Sequence, residues 1–139
     1  MPEVVIPSLV LGFDFGMRRI GVAVGQTVTR SASPLKTLHC IRGNPDWSEV
    51  SQIVFDWKPD ALVVGLPIPA DNTETSLLKA VRQFVQKLTD RYPLPVHTVN
   101  EFLSSWEAEL TILDRRSKQE TDPVAAQIIL QTWLNGLFS

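Results

Sequence analysis

The sequence contains one cysteine, Cys40, and two histidines in 139 residues. A lone cysteine excludes an intrachain disulfide framework and fits a reducing compartment. So few thiols and imidazoles also leave no ligand set for a structural zinc site. No charge dominates, since 13 basic and 15 acidic residues give a net charge of −2. That balance creates no global pull toward nucleic acid, so any such partner must be met by local basic residues. Long apolar runs are missing too. The chain starts MPEVVIPSLVLGFDFG, with Glu3 where a secretory signal has basic residues, Pro2 and Pro7 interrupting, and Asp14 ending the stretch. This is well short of the ~18–20 apolar residues that span a bilayer. The expectation is a cytoplasmic protein with no targeting segment and no membrane partner.

What is present suits one compact domain over residues 1–139. A composition of 44% hydrophobic and 20% charged residues excludes global disorder. A chain of this length buries roughly two-thirds of its unfolded surface. There is no internal repeat or low-complexity tract.

The first half reads as strands: Leu9–Phe15, then Ile20–Val24 after a Gly-Met-Arg-Arg turn, then a weaker, edge-like Ser33–Cys40. Asn44-Pro45-Asp46 marks a turn or helix start. Val50, Ile53, Val54 and Trp57 follow at helical spacing, and Lys58-Pro59 ends that helix. Ala61–Leu66 is a continuous apolar run, as in a strand buried on both faces. Leu77, Leu78, Val81, Phe84, Val85 and Leu88 form a helical stripe opposite Lys79, Arg82, Gln83, Gln86 and Lys87. Val96–Val99 predicts a short strand, Ser104 or Ser105 caps a helix to about Leu113, and Asp122-Pro123 opens a last helix that Gly136 stops. Three early strands followed by alternating helix and strand predict an α/β fold, one mixed sheet covered by helices, with a flavodoxin-like order as the competitor.

Asp14 is the most informative residue. It lies in a strand whose neighbours are apolar or glycine, and a buried carboxylate needs a cation, hydrogen-bond donors or a metal. Its two readings are a structural ion pair with Arg18 or Arg19 and a site carboxylate. Gly12, Gly16 and Gly21 around it let another backbone, a phosphate or a hydrated metal approach, or simply shape a hairpin. Glu101 follows a strand's C-terminal end, where α/β sheets place their sites, or is an exposed helix-preceding acid. Asp122 is in any case a good N-cap. Carboxylates distant in sequence can converge on a hard divalent cation such as Mg²⁺, and such ions assist phosphodiester cleavage. Arg18, Arg19, Arg30 and Arg42, then Arg115, Arg116 and Lys118, supply local positive charge that suits either solvent or a phosphate backbone. His39, His97 and Cys40 have no partner at a telling spacing and read as structural, as do Trp47, Trp57, Trp106 and Trp133 on helices.

Leu11–Gly25 (LGFDFGMRRIGVAVG), Val63–Pro67 (VVGLP), Asn100–Ser105 (NEFLSS) and Asp122–Leu134 (DPVAAQIILQTWL) resemble the YqgF family, also called RuvX, in the same order and over nearly the whole chain. Its members are pre-16S rRNA nucleases or Holliday-junction-resolvase-like proteins. The resemblance implies an RNase H-like fold and a nuclease using Mg²⁺ or Mn²⁺. Its acidic residues fall on Asp14, Glu101 and Asp122, with Arg18, Arg19, Arg115, Arg116 and Lys118 toward nucleic acid. The substrate implied is precursor 16S rRNA in ribosome biogenesis, with branched DNA or a non-catalytic binding module as alternatives. A nucleotide phosphotransferase of the actin type would need a second such domain. A monomer or weak homodimer is expected, since cutting both strands of a junction takes two sites. Where the family usually reads Asp-Glu-Arg, this chain has Asn100-Glu101-Phe102. Where it commonly has an Asp-Gly pair after VVGLP, this chain reads Ile68-Pro69-Ala70-Asp71-Asn72.

Overall fold

The structure, a computed structural model, describes residues 7–100 and 123–137. β1 (Leu9–Phe15), β2 (Arg19–Gln26), β3 (Ser31–Ile41) and the two-residue β4 (Asn44–Pro45) come first. They are followed by α1 (Trp47–Trp57), β5 (Ala61–Leu66), α2 (Ser76–Arg91), β6 (Val96–Asn100) and α3 (Pro123–Leu137). These strands form one six-stranded sheet in the order β4-β3-β2-β1-β5-β6. The pairs β1–β2, β2–β3 and β3–β4 are antiparallel, while β1–β5 and β5–β6 are parallel. This is the expected mixed, RNase H-like sheet, and it excludes a flavodoxin-like order, which is parallel throughout.

The patterning explains the centre of the sheet. Every residue of β5 is buried, as is all of β1 after Leu9. Side chains alternate between two layers. Leu11, Phe13, Phe15, Leu62 and Val64 pack beneath α1 and α2, whereas Val10, Ala23, Ala61 and Val63 meet α3. On α2 the apolar stripe buries Leu78, Val81, Phe84 and Leu88. Phe84 is the hub of that layer, with ring centroids 5.7 Å from Phe13, 5.2 Å from Phe15 and 5.8 Å from Trp47.

The helix ends follow local chemistry. Asp46 caps α1 by accepting from the Ser48 hydroxyl and from its amide at 3.0 Å, which hold its carboxyl below the ordinary range, and Lys58 closes the helix in the left-handed region at φ 48°. Thr75 caps α2 through the Leu78 amide at 3.0 Å. At the start of β5, the Asp60 carboxylate accepts from the amides of Ser8 and Leu9 and its amide donates to the Leu9 carbonyl, binding β1 to β5. On the other side, α3 is tied to β3. Gln131 Oε1 accepts from the Ala32 amide at 3.1 Å and its Nε2 donates to the Arg30 carbonyl at 2.8 Å, while Gln127 donates to the Ala32 carbonyl at 2.9 Å.

Four expectations need correction. The third strand is longer than Ser33–Cys40: Ser31 and Ala32 extend it by pairing with Gln26 and Gly25 of β2, with Ala32 buried in the α3 layer, and Ile41 extends it by pairing with Asn44 of β4. Asp46 does start the helix as its cap, as expected, but Asn44-Pro45 first pairs with Cys40 and Ile41 as a short strand. Gly136 does not stop α3, which runs one residue further; the glycine is exposed in the last turn with nothing within 4 Å of a Cβ there. Trp57 is 39% exposed at the end of α1 instead of lying in the core. The expected helix from Ser104 or Ser105 to Leu113, with Trp106, lies outside the described residues.

Candidate active site

β1, β3, β5 and β6 all point the same way, so their C-terminal ends gather at one edge of the sheet. Asp14 lies at this edge, one residue before the end of β1. It is the one buried charged residue among those described, 1% exposed. Alternation puts it on the α3 face with Gly12, and its cross-strand partner is Gly21.

α3 approaches this face of the sheet closely. A Cβ on Gly12 would lie 2.8 Å from Leu130 Cβ and 3.4 Å from the Ala126 carbonyl oxygen, and one on Gly65 would lie 2.6 Å from Ile129 Cδ1. Of the approaches that glycine beside Asp14 permits, Gly12 therefore serves another backbone. Gly25, beside Val10 at the far end of β1, faces Leu130 and Leu134, whereas Gly12 faces Ala126 and Leu130. Hence α3 runs opposite to β1 and directs its N-terminal turn, beginning at Pro123, toward the Asp14 end.

Cations border this edge. Arg18 and Arg19 are exposed in and just after the β1–β2 turn. Arg18 forms no ion pair with a described carboxylate, so the ion-pair reading of Asp14 does not hold for that arginine. The turn is braced by the Cys40 amide donating to the Arg18 carbonyl at 2.8 Å and the Gly43 amide donating to the Met17 carbonyl at 3.0 Å. Gly43 takes φ 79°, open to glycine without strain, and a Cβ there would sit 2.9 Å from Met17 Cε.

The loop after β5 turns at Ala70-Asp71. Asp71 accepts hydrogen bonds from Thr73, which hold its carboxyl below the ordinary range, and Asn72 adopts φ 60°. Asparagine tolerates that left-handed conformation, so Asp71-Asn72 supplies the backbone path an Asp-Gly pair would give.

Glu101, Asp122, Arg115, Arg116 and Lys118 lie outside the described residues. Among the described residues no three His, Cys, Asp or Glu side chains form a metal-holding group. The structural readings of His97 and Cys40 agree with their surroundings. His97 stacks on Trp133 at 5.2 Å, and burial pushes the Cys40 thiol up to about 11. Among the described helices, none is long and apolar enough to cross a membrane. In the sequence Arg42 is only one of several local cations and Lys87 only part of a solvated helix face. Their convergence near this edge depends on a turn meeting a helix far along the chain.

Residues 8–136 match a family model described as "RuvX: Holliday junction resolvase". A protein of Nitrosococcus oceani named "Putative pre-16S rRNA nuclease" is 53% identical over 132 residues, 92% of this chain and 87% of its own. One of the same name from Hydrogenovibrio crunogenus is 47% identical over 134 residues, 95% of this chain and 97% of its own. Among solved structures, the RuvC protein of T. thermophilus in complex with a Holliday junction substrate superposes with a TM-score of 0.57 at 14% identity, covering 95% of this chain and 96% of that one. That likeness is one of fold.

Proposed function

The chain belongs to the RuvX family of Holliday junction resolvases, and from that premise we propose that it is a divalent-metal-dependent nuclease. Its substrate is structured nucleic acid, foremost the 5′ end of precursor 16S rRNA during ribosome biogenesis in the cytoplasm. The observation that carries the reading is Asp14, a carboxylate buried at the strand-end edge of the sheet beneath the N-terminal half of α3. A hard oxygen donor at that place suits Mg²⁺ or Mn²⁺.

In this reading Asp14, Glu101 and Asp122 hold the cation. When bound, it polarises the scissile phosphate and lowers the pKa of the attacking water. The other residues position the strand: Arg18 and Arg19 in the braced β1–β2 turn, with Arg115, Arg116 and Lys118, take backbone phosphates. Such contacts fix register without reading sequence.

The test is incubation of the protein with end-labelled precursor 16S rRNA, with Mn²⁺, Mg²⁺ or EDTA. Cleavage that requires the metal supports the proposal, and binding without metal-dependent cleavage leaves a binding module. A four-way DNA junction belongs in the same assay, because the family description favours it as the second substrate. Symmetric nicking of the junction would favour that reading and a dimer presenting two sites.

A further inference from the structure

A cleft of about 180 Å³ opens at the same edge of the sheet but on the opposite face from Asp14. Phe15, the residue after Asp14, contributes to its buried base, and Met17 in the β1–β2 turn to its rim. The turn from β3 to β4 forms one side and α2 the other. Ala80, Gln83, Phe84 and Lys87 line it from α2 at i, i+3, i+4 and i+7, one face of a helix.

Its charge is of one sign. Arg42 and Lys87 line it, and no described acidic residue does. Neither cation forms an ion pair with a described carboxylate. Lys87 Nζ is instead held by the Asn44 side-chain oxygen at 3.1 Å, which steadies the ammonium while leaving its other donors available. Arg42 adopts φ 52°, a left-handed conformation that glycine or asparagine takes more readily, and its side chain is exposed. The Gly43–Met17 hydrogen bond keeps Arg42 beside the turn that carries Arg18. The cations thus run from Arg18 and Arg19 around the end of the sheet to Arg42 and Lys87.

We infer that this cleft is a second nucleic-acid contact, in which Arg42 and Lys87 bind backbone phosphates of the polynucleotide strand as it passes from the Asp14 face over the β1–β2 turn. The assignment rests on the nuclease reading above and extends it to the other face of the sheet. Positive charge without carboxylates, on a rigid rim, favours a phosphate chain over a peptide or an apolar partner.

The test compares the wild type with an Arg42→Gln/Lys87→Gln double variant. Anisotropy of labelled single-stranded RNA is measured in EDTA across roughly 50–200 mM salt, where such contacts dominate. Each lost phosphate contact lowers the log–log salt slope by about 0.7 on a single strand, so the expected drop is roughly 1.4, with affinity about 25-fold weaker near 0.1 M salt. Lys79→Gln, on α2 but away from the cleft, should leave the slope alone, and a charge-keeping Arg42→Lys/Lys87→Arg protein should restore it. If the double variant does not fold, Lys87→Gln alone, at an exposed helical position, should lower the slope by about 0.7. A wild-type slope in a folded variant overturns the assignment while leaving the nuclease reading intact, whereas a wild type that binds no nucleic acid overturns both. Saturable binding of inorganic phosphate or a mononucleotide, lost in the double variant, would make the cleft a small-molecule site and would also overturn the proposal.

Discussion

Under α1 and α2 the sheet presents Phe13, Phe15, Leu62 and Val64, and the helices answer with Phe84, Leu88 and Trp47. Under α3 it presents Gly12, Gly25, Gly65, Ala23 and Ala61, and the helix answers with Ala126, Ile129 and Leu130. The first face gains stability from bulk. The second gives up side-chain volume so that a helix can lie nearly against the strands, and it also holds the buried carboxylate. If Asp14 has the role proposed for it, stability and chemistry are concentrated on opposite sides of one sheet, and variants on each side should separate them.

The largest effect expected is from Asp14→Asn, which should lower metal-dependent cleavage at least ~10³-fold, equivalent to about 4 kcal/mol of transition-state stabilisation, while the melting temperature stays near that of the wild type. Wild-type turnover by this variant would take Asp14 out of the mechanism. Next is Phe84→Ala, which removes three ring contacts and should cost ~3–5 kcal/mol in denaturant unfolding. Phe84 also lines the cleft proposed to contact RNA, so the comparison is made at saturating RNA, where its cleavage rate per folded molecule should persist; a stable variant inactive at saturation would erase the division between faces. Gly12→Ala should cost less, ~1–3 kcal/mol, because its methyl meets Leu130 Cβ at 2.8 Å and displaces α3. Here activity should fall further than stability does, and a proportional fall would argue that α3 does not position the site.

The smallest effect concerns Cys40. Its thiol is raised from 9.0 to about 11 by burial, so the folded protein near pH 8 should react with iodoacetamide about a hundredfold more slowly than the unfolded chain. Folding penalises the thiolate, so this contribution to stability is complete below pH 9 and disappears as the pH rises toward 11. Rapid alkylation of the native protein would show that β3 is looser than its pairing with β2 implies.

Much of this division was legible in the residues. The continuous apolar run Ala61–Leu66 and the stripe from Leu77 to Leu88 fixed β5 and α2, because burial on both faces and burial on one face leave different periodicities. The ends of β3 were less visible: exposed Ser31 and Ile41 are kept extended by backbone pairing with β2 and β4, which has no composition of its own. Gly136 misled because a glycine in an exposed last turn costs too little to end a helix already anchored upstream. At the site, Asp14 stood out as an acid within an apolar strand, and the neighbouring glycines announced a close approach without saying what approaches. The cleft left no local signal, since Arg42 and Lys87 meet only through the tertiary fold. Glu101 and Asp122, marked in the sequence by a strand end and a helix cap and assigned to the metal by the resemblance, lie outside the described residues.

The two glutamines of α3 have a consequence for alignment at the sheet edge that holds Asp14. Helices packed through smooth apolar surfaces can slip lengthwise, and one turn of slippage amounts to about 5.4 Å. Gln127 and Gln131 engage the main chain at Arg30 and Ala32, groups whose positions are dictated by the ladder itself. They act as a detent: the helix seats at one axial setting against the strands, and the residues at its amino end inherit that setting from a point at the far side of the molecule.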